Sequence, residues 1–480
     1  MAALQRLRVP SQNGEVLAVP GFKAIPSLIE QNRRQLNRSD VKICSLPLNE
    51  FRAIARSEVL ALSESPQEPS GPLIVTGHQP ELSHPGVWVK NFVLNGLARK
   101  VGGIPLNLIV DNDTLKTAAL HFPAFQSGDP FSVHQESLAF DAAQGELPYE
   151  DRQVFDEQIF HSFPERAKKH WQNWGYQPLL PRVWKNDRTI GDAFVSARRG
   201  CERAWGCRNL ELSVSRLSQT RSFGQFAKHI FDDLSRFREV YNAAIMSYRR
   251  ANHLKSHSHP APELAKDEAP FWEQTSVNGG RKRATTSSDI HALRPRALTL
   301  TLFARLCVAD FFIHGIGGGK YDAVTDQIIR DYFGIEPPAY QVVSATLQLP
   351  LPNFPTTAES VRQAERNLRD LKWNPQYYID PKMAGRSIAV QLLAEKEKLI
   401  RSEPSLRDHQ GRREWFRSFQ RVTEQLRSFV SQQIPQVEEL VRRRRAELEA
   451  NRILQRRDYA WVLYPEQVLR PFLQQFLNLD

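Results

Sequence analysis

Residues 73–110 read LIVTGHQPELSHPGVWVKNFVLNGLARKVGGIPLNLIV, and this stretch decides the fold class. Leu73, Ile74 and Val75 form an apolar run of the length of a buried strand, which stops at Thr76 and Gly77. Over residues 87–99, Val89, Phe92, Val93 and Leu97 recur at helical spacing, and Gly102 and Gly103 end the segment. Residues 104–110, IPLNLIV, are a second strand candidate that runs into Asp111, Asn112 and Asp113. Strand, loop, helix and strand in that order make a βαβ unit, whose crossover is right-handed and whose strands are parallel. The predicted class is therefore α/β with a parallel-sheet core.

Working outward, SESPQEPSGP at 63–72 reads as a linker into this unit. Residues 123–251 are helix-rich with few strand signals, and 253–286 turn polar and rich in proline and glycine, the composition of an insertion loop. A second α/β stretch follows: a helix over 298–309, a strand over 311–314, a glycine-rich turn at 315–319, a helix from about Tyr321 to Phe333, and a strand over 340–346. Further on, Trp415, Phe419, Val422, Leu426 and Phe429 are spaced four, three, four and three, the stripe of a coiled coil or helical hairpin. Pro435 breaks or kinks it, and Val437, Leu440, Val441 and Leu448 continue it. The predicted organisation is an N-terminal segment 1–70, a first half of the core with a helical insertion 71–250, a polar loop 251–290, a second half of the core 291–383, a helical region 384–458 and a tail 459–480 packed on the core.

No run of about 18 apolar residues occurs, so no transmembrane helix is expected. MAALQRLRVP at 1–10 lacks the apolar stretch and cleavage site of a secretory signal. Cys44, Cys201, Cys207 and Cys307 form no CxxC pair, which fits free thiols in a reducing compartment. The expectation is a cytoplasmic, non-membrane protein. Its net charge of +11 raises the prior for polyanionic partners. Much of that charge is arginine on helical segments, such as Arg442, Arg443, Arg444 and Arg445, which reads as a solvated helix face. Nucleic-acid binding through these helices is the alternative, against which no aromatics interleave with the basic residues as a stacking platform.

Three constellations carry candidate chemistry. Thr76, Gly77, His78 and Gln79, then His84 and Gly86, lie between a strand end and a helix start. Ligands bind outside the carboxyl ends of parallel strands, amides at a helix start attract anions, and imidazoles move protons near neutral pH. Asp111, Asn112 and Asp113 at the next strand end could hold a hydroxyl, an amine or a metal; the competing reading is a helix cap at Asp113. His314, then Gly317, Gly318 and Gly319, then Lys320, Tyr321 and Asp322 form a glycine-dense ligand loop; its spacing is neither a Walker loop nor GxGxxG. His253, His257 and His259 invite zinc, but no cysteine or carboxylate completes a pattern, so they read as solvated and no metal site is assigned.

In this order the motifs resemble the bacillithiol biosynthesis cysteine-adding enzyme family. TGHQPELSHPGVW is similar to that family's T-G-Q-Q-x-G-L-x-x-G-P-x-Y, and IPLNLIVDNDT occupies the place of its strand ending in an acidic run. Leu293, Arg294 and Pro295, the loop IHGIGGGKYD, Gln327, FGIEPP and the SATL at 344–347 parallel the family's later motifs, and a heptad-bearing region and the tail VLYPEQVLRPFLQQF follow. The likeness spans residues 70–120 and 290–480. It implies a Rossmann-like core with helical insertions and a C-terminal antiparallel coiled coil that can support a homodimer. It also implies a ligase joining cysteine to a glucosaminyl-malate acceptor, an anionic amino-sugar conjugate. ATP or ADP is the candidate nucleotide. Thr76, Gly77 and Gln79 match its first loop, Asp111 and Asp113 its acidic run, and Gly317, Gly318 and Gly319 its glycine loop. His78 stands for a glutamine and Lys320 for a glutamate, so the ligand meets a different charge there. With His78, His84, Asp111 and Asp113 in catalytic roles, a metabolite binder without catalysis is the other reading of the same residues.

Overall fold

Leu73–His78 becomes the middle of a six-stranded sheet in the computed structural model, which describes residues 7–63, 71–142, 145–275, 280–379 and 387–479. The strands are β1 (Val16–Val19), β2 (Leu73–His78), β3 (Ile104–Ile109), β4 (Leu210–Ser213), β5 (Phe311–His314) and β6 (Tyr340–Ala345), in the order β1-β6-β5-β2-β3-β4. Every pair is parallel except β1 with β6, which is antiparallel. The chain lays β3 and β4 on one side of β2, then returns to place β5 and β6 on the other. The strand order therefore reverses between β2 and β5. Leu73, Ile74, Val75 and Thr76 are fully buried, as a strand covered on both faces requires, which is why that run shows no alternation.

Two long helices follow the two strands at the reversal: α1 (Pro85–Val101) after β2 and α2 (Ile316–Phe333) after β5. Around α1, Trp88 packs on Phe92, Trp205 and Trp461. The carbonyl of Phe476 in the C-terminal tail lies where a Cβ on Gly96 would be, 1.9 Å from it, so the tail sits directly on the helix backbone.

Several expectations need correction. The glycines at 315–319 are not a turn before a helix at Tyr321; they are the first turn of α2, which begins at Ile316, and none has a positive φ. The stretch 251–290 is not simply a polar loop. Glu268–Gln274 is the centre of a three-stranded sheet with Arg281–Thr285 and Leu293–Pro295, because Ala269, Phe271, Ala284 and Leu293 are buried in the core. The helix-rich region also supplies β4 and the strand His134–Ala139, and the strand Ala119–Ala124 runs into its start. The four residues of β4, LELS, carry a charged residue that Arg198 and Arg199 neutralise through Glu211, which hides the strand from an apolar pattern. Pro435 does not break a helix; it lies in the first turn of Gln433–Leu454, and the interruption is the 3₁₀ turn Ser428–Val430. Most of the predicted linker at 63–72 lies outside the described residues, as does the boundary at 383 and 384.

The chain forms two compact units, one of Met1–Phe122, Ser137–Pro350 and Arg457–Asp480, the other of Pro123–Glu136 and Leu351–Arg456. Residues 351–379, predicted with the core, fall in the second. In that unit Ala358–Trp373 packs along Gln433–Leu454, and Ser387–Arg401 along His409–Arg427. Val422 and Leu426 of the heptad stripe are buried with Leu392, whereas Phe429 and Leu440 are exposed, so the seam is short. The arginine run is paired within the unit: Arg442 with Glu439, Arg443 with Glu447, Arg445 with Glu365, and Arg444 with the Ser360 carbonyl. Among the described residues, no helix is long and apolar enough to cross a membrane.

Candidate functional site

The site begins at the reversal of strand order. Ile313 and Thr76 are the last pair between β5 and β2; beyond it Gly77 pairs only with Leu108 of β3 and His314 only with Val342 of β6, so a gap opens between the two strands. The buried Thr76 hydroxyl donates to the Ile313 carbonyl at 2.7 Å and ties the two strands together at this level. Both strands lead into helices whose first turns have no side-chain cap and no acidic residue. The first amides of α2 therefore keep their partial positive charge for something outside the helix, whereas at α1 Pro85 has no N–H and Val87 donates to the His84 carbonyl, which leaves Gly86. Gly318 and Gly319 are required by packing: a Cβ would come within 2.9 Å of His314 Nδ1 and 2.3 Å of Val342. Gly315 and Gly317 are not, since a Cβ on either would meet nothing within 4 Å and neither has a positive φ. Glycine there leaves the first amides of α2 uncovered. At the start of α1, Gly86 lets the Ala345 carbonyl and the Arg457 guanidinium approach to 2.1 and 2.5 Å of its missing Cβ, which brings a cation to that helix end.

His78, the last residue of β2, donates from Nε2 to Glu81 at 3.0 Å, which leaves Nδ1 as the basic nitrogen. Nearly a third of its side chain meets solvent (31%), yet burial is the largest influence on its pKa and lowers it. A group both reachable and densely surrounded lies in a recess. Lys90 beneath it adds to the depression, and Glu81 opposes it. Lys90 itself is buried, donates to the Gly77 carbonyl at 3.0 Å, and is pushed down to about 8 by that burial. His84, the N-cap of α1, falls to about 4 through burial and the Arg457 charge, and its Nδ1 is buried without a hydrogen bond. Both histidines are thus held neutral at pH 7, His84 firmly so.

The acidic run divides. Asp111 accepts from the amide and hydroxyl of Ser215 in the first turn of Val214–Leu217, so it caps a helix 104 residues away. Burial raises it despite these bonds. Asp113 caps no helix, contrary to the competing expectation. It accepts from Gln79 at 2.8 Å and from Arg281 at 3.2 Å; burial works to raise it, and these donors outweigh that and hold it low. Asn112 donates to the Pro295 carbonyl, its own carbonyl accepts from Arg281, and its Oδ1 is buried without a partner. Behind the run, Arg294 holds Glu150 at 2.9 Å, and burial with the Asp111 charge raises Glu150 to about 7.

The glycine-loop residues separate from this group. His314 and Asp322 are buried and bonded to each other at 2.9 Å, with Arg305 on the same carboxylate. Lys320 and Tyr321 line a cavity with Tyr248, Asn252, His259 and Asp326, to which no residue of the His78 loop contributes. The structure adds Glu81, Lys90, Glu150, Arg281, Arg294 and Arg457 to the candidates. Two of them were local: Glu81, three residues after His78 in the same loop, and Lys90, a lysine set inside a largely apolar helical stretch. The others come from distant segments. Among the described residues no cluster of three His, Cys, Asp or Glu side chains is placed to hold a metal, and His253, His257 and His259 do not gather. No protein-family model and no curated protein matches the chain.

Proposed function

We propose that this chain is a C–N bond-forming ligase or transferase acting at the β2–β5 reversal, with cysteine and a glucosaminyl-malate-like acceptor as the substrates that the sequence resemblance implies. The supporting observation is that the adjacent parallel strands β2 and β5 each lead into a helix start without a side-chain cap, with a histidine of lowered pKa at the end of β2. Numbered among the parallel strands alone, the order 3-2-1-4-5 supports a Rossmann-like reading of the core, and such folds bind ligands at this reversal. Carboxylates of the acceptor would lie against the bare amides of α2 and the Arg457 end of α1. An attacking amine reaches neutral water as an ammonium and must lose a proton. His78 takes it at Nδ1, and Glu81 stabilises the imidazolium that forms. Asp113, oriented by Gln79 and Arg281, anchors an amine or sugar hydroxyl. Asp111 is committed to Ser215 and acts as a positioning residue; His84, too weak a base at about 4, serves as a hydrogen-bond donor. Joining a carboxylate to an amine expels water, so the carboxylate must be activated, for which ATP is the candidate. A cytoplasmic location and a homodimer through the helical unit belong to the same reading.

A strain lacking the chain should lose a cysteine-containing low-molecular-weight thiol, regained with the wild-type chain and not with His78→Ala. Thiol pools unchanged by the deletion would sink the proposal.

A further inference from the structure

The cavity beside α2 shares no residue with the cleft just described. It measures about 290 Å³, at the small end of ligand sites, so its occupant is small. Its walls are part aromatic and apolar, with Tyr248, Tyr321, Tyr340 and Leu254, and part polar, with Asn252; His259 meets the Tyr321 ring edge-on at 4.9 Å. Two groups of opposite charge line it. Lys320 makes no hydrogen bond or ion pair with the described residues, although it lies in a helix otherwise rich in paired charge. Asp326 is nine-tenths buried and shares one guanidinium, Arg305, with Asp322, at 2.8 Å; Asp322 also has the His314 imidazole, whereas Asp326 has no second cation bonded to it among the described residues. Burial and the Asp322 charge accordingly raise Asp326. Lys320 and Asp326 do not pair with each other: six positions apart on α2, they are separated by about one and two-thirds turns and leave the helix in directions about 120° apart.

A hollow with an unsatisfied ammonium, a carboxylate whose one cation is shared and partly aromatic walls matches a molecule bearing the same elements in reverse. We propose that this cavity binds a free α-amino acid with an aromatic or bulky apolar side chain, its carboxylate on Lys320, its ammonium on Asp326 and its side chain among the tyrosines.

Isothermal titration of the full chain with L-tyrosine and L-phenylalanine tests this, alongside the N-acetyl form, which lacks the ammonium, and the carboxamide, which lacks the carboxylate. The free amino acids should bind, and each blocked form should bind about tenfold more weakly, the equivalent of one lost charged contact. Lys320→Met is partly exposed and should fold normally by circular dichroism. In it, acid and carboxamide should bind equally. His78→Ala should leave this binding unchanged, which separates the cavity from the cleft, where cysteine is also an amino acid. No heat with either amino acid, binding indifferent to Lys320→Met, or binding lost in His78→Ala would each overturn the assignment, the last by moving the ligand to the cleft.

Discussion

The carboxyl edge of the parallel sheet and the helices of residues 351–456 are both crowded with charge, but they use it differently. Around the parallel sheet the ion pairs are long-range: Arg294 with Glu150 across 144 residues and, at the foot of β2, Arg52 with Asp310 across 258 are buried, and Arg281 with Asp113 across 168 is half-buried. On the helices many are local and solvated, such as Arg442 with Glu439 and Arg452 with Glu449, three positions apart, and the longer-range Arg445 with Glu365 is exposed as well. A buried pair is sensitive to the loss of either member, because the survivor is left in low dielectric. An exposed helical pair gains little, since water and salt screen it. The first kind of charge can hold a site in shape and shift pKa values; the second chiefly keeps a surface soluble.

That contrast can be broken by substitution. Asp310 accepts from Arg52 and Arg56 and from the Leu73 amide that starts β2. Asp310→Asn should cost about 3–5 kcal/mol in urea unfolding, because two guanidinium groups lose their counter-charge. A loss below about 1 kcal/mol would put this buried pair in the same class as the exposed ones. A smaller effect sharpens the picture within α2. Gly319→Ala must push against Val342 and should destabilise by roughly 1–3 kcal/mol. Gly317→Ala has open space and a helical backbone, and should stabilise by about 0.5–1 kcal/mol. Equal effects at the two positions would remove the argument that Gly317 is kept for access rather than packing. The smallest effect belongs to the helical unit: Arg442→Gln should leave the thermal midpoint unchanged, since its carboxylate partner stays in water.

Much of the core was legible before its coordinates. The apolar run 73–75, the helical spacing after Gly86 and the strand into Asp111 are local patterns, and they reappear as β2, α1 and β3. The edge strand β1 and the short β4 escaped, because four residues carry too little pattern, and in β4 Glu211 interrupts what there is. At the site, His78, Gln79 and Asp113 could be named from their place at strand ends, and the structure brings them together. Asp111 could not be separated from Asp113 by sequence, because the helix it caps begins 104 residues later. The density of glycine at 315–319 was legible, but its meaning was not. Whether a glycine makes a turn, admits Val342 or exposes an amide depends on what stands opposite.

The sequence by itself determined the periodicities: which segments are strands or helices, where they stop, and that strand and helix alternate. These follow from contacts between residues a few positions apart, which the chain makes wherever it lies. Only the tertiary structure decided that β5 returns beside β2, that Lys90 lies under His78, and that Lys320 turns to a different cavity. Those outcomes depend on the order in which distant strands pair, and pairing is set by how the whole core buries its apolar faces.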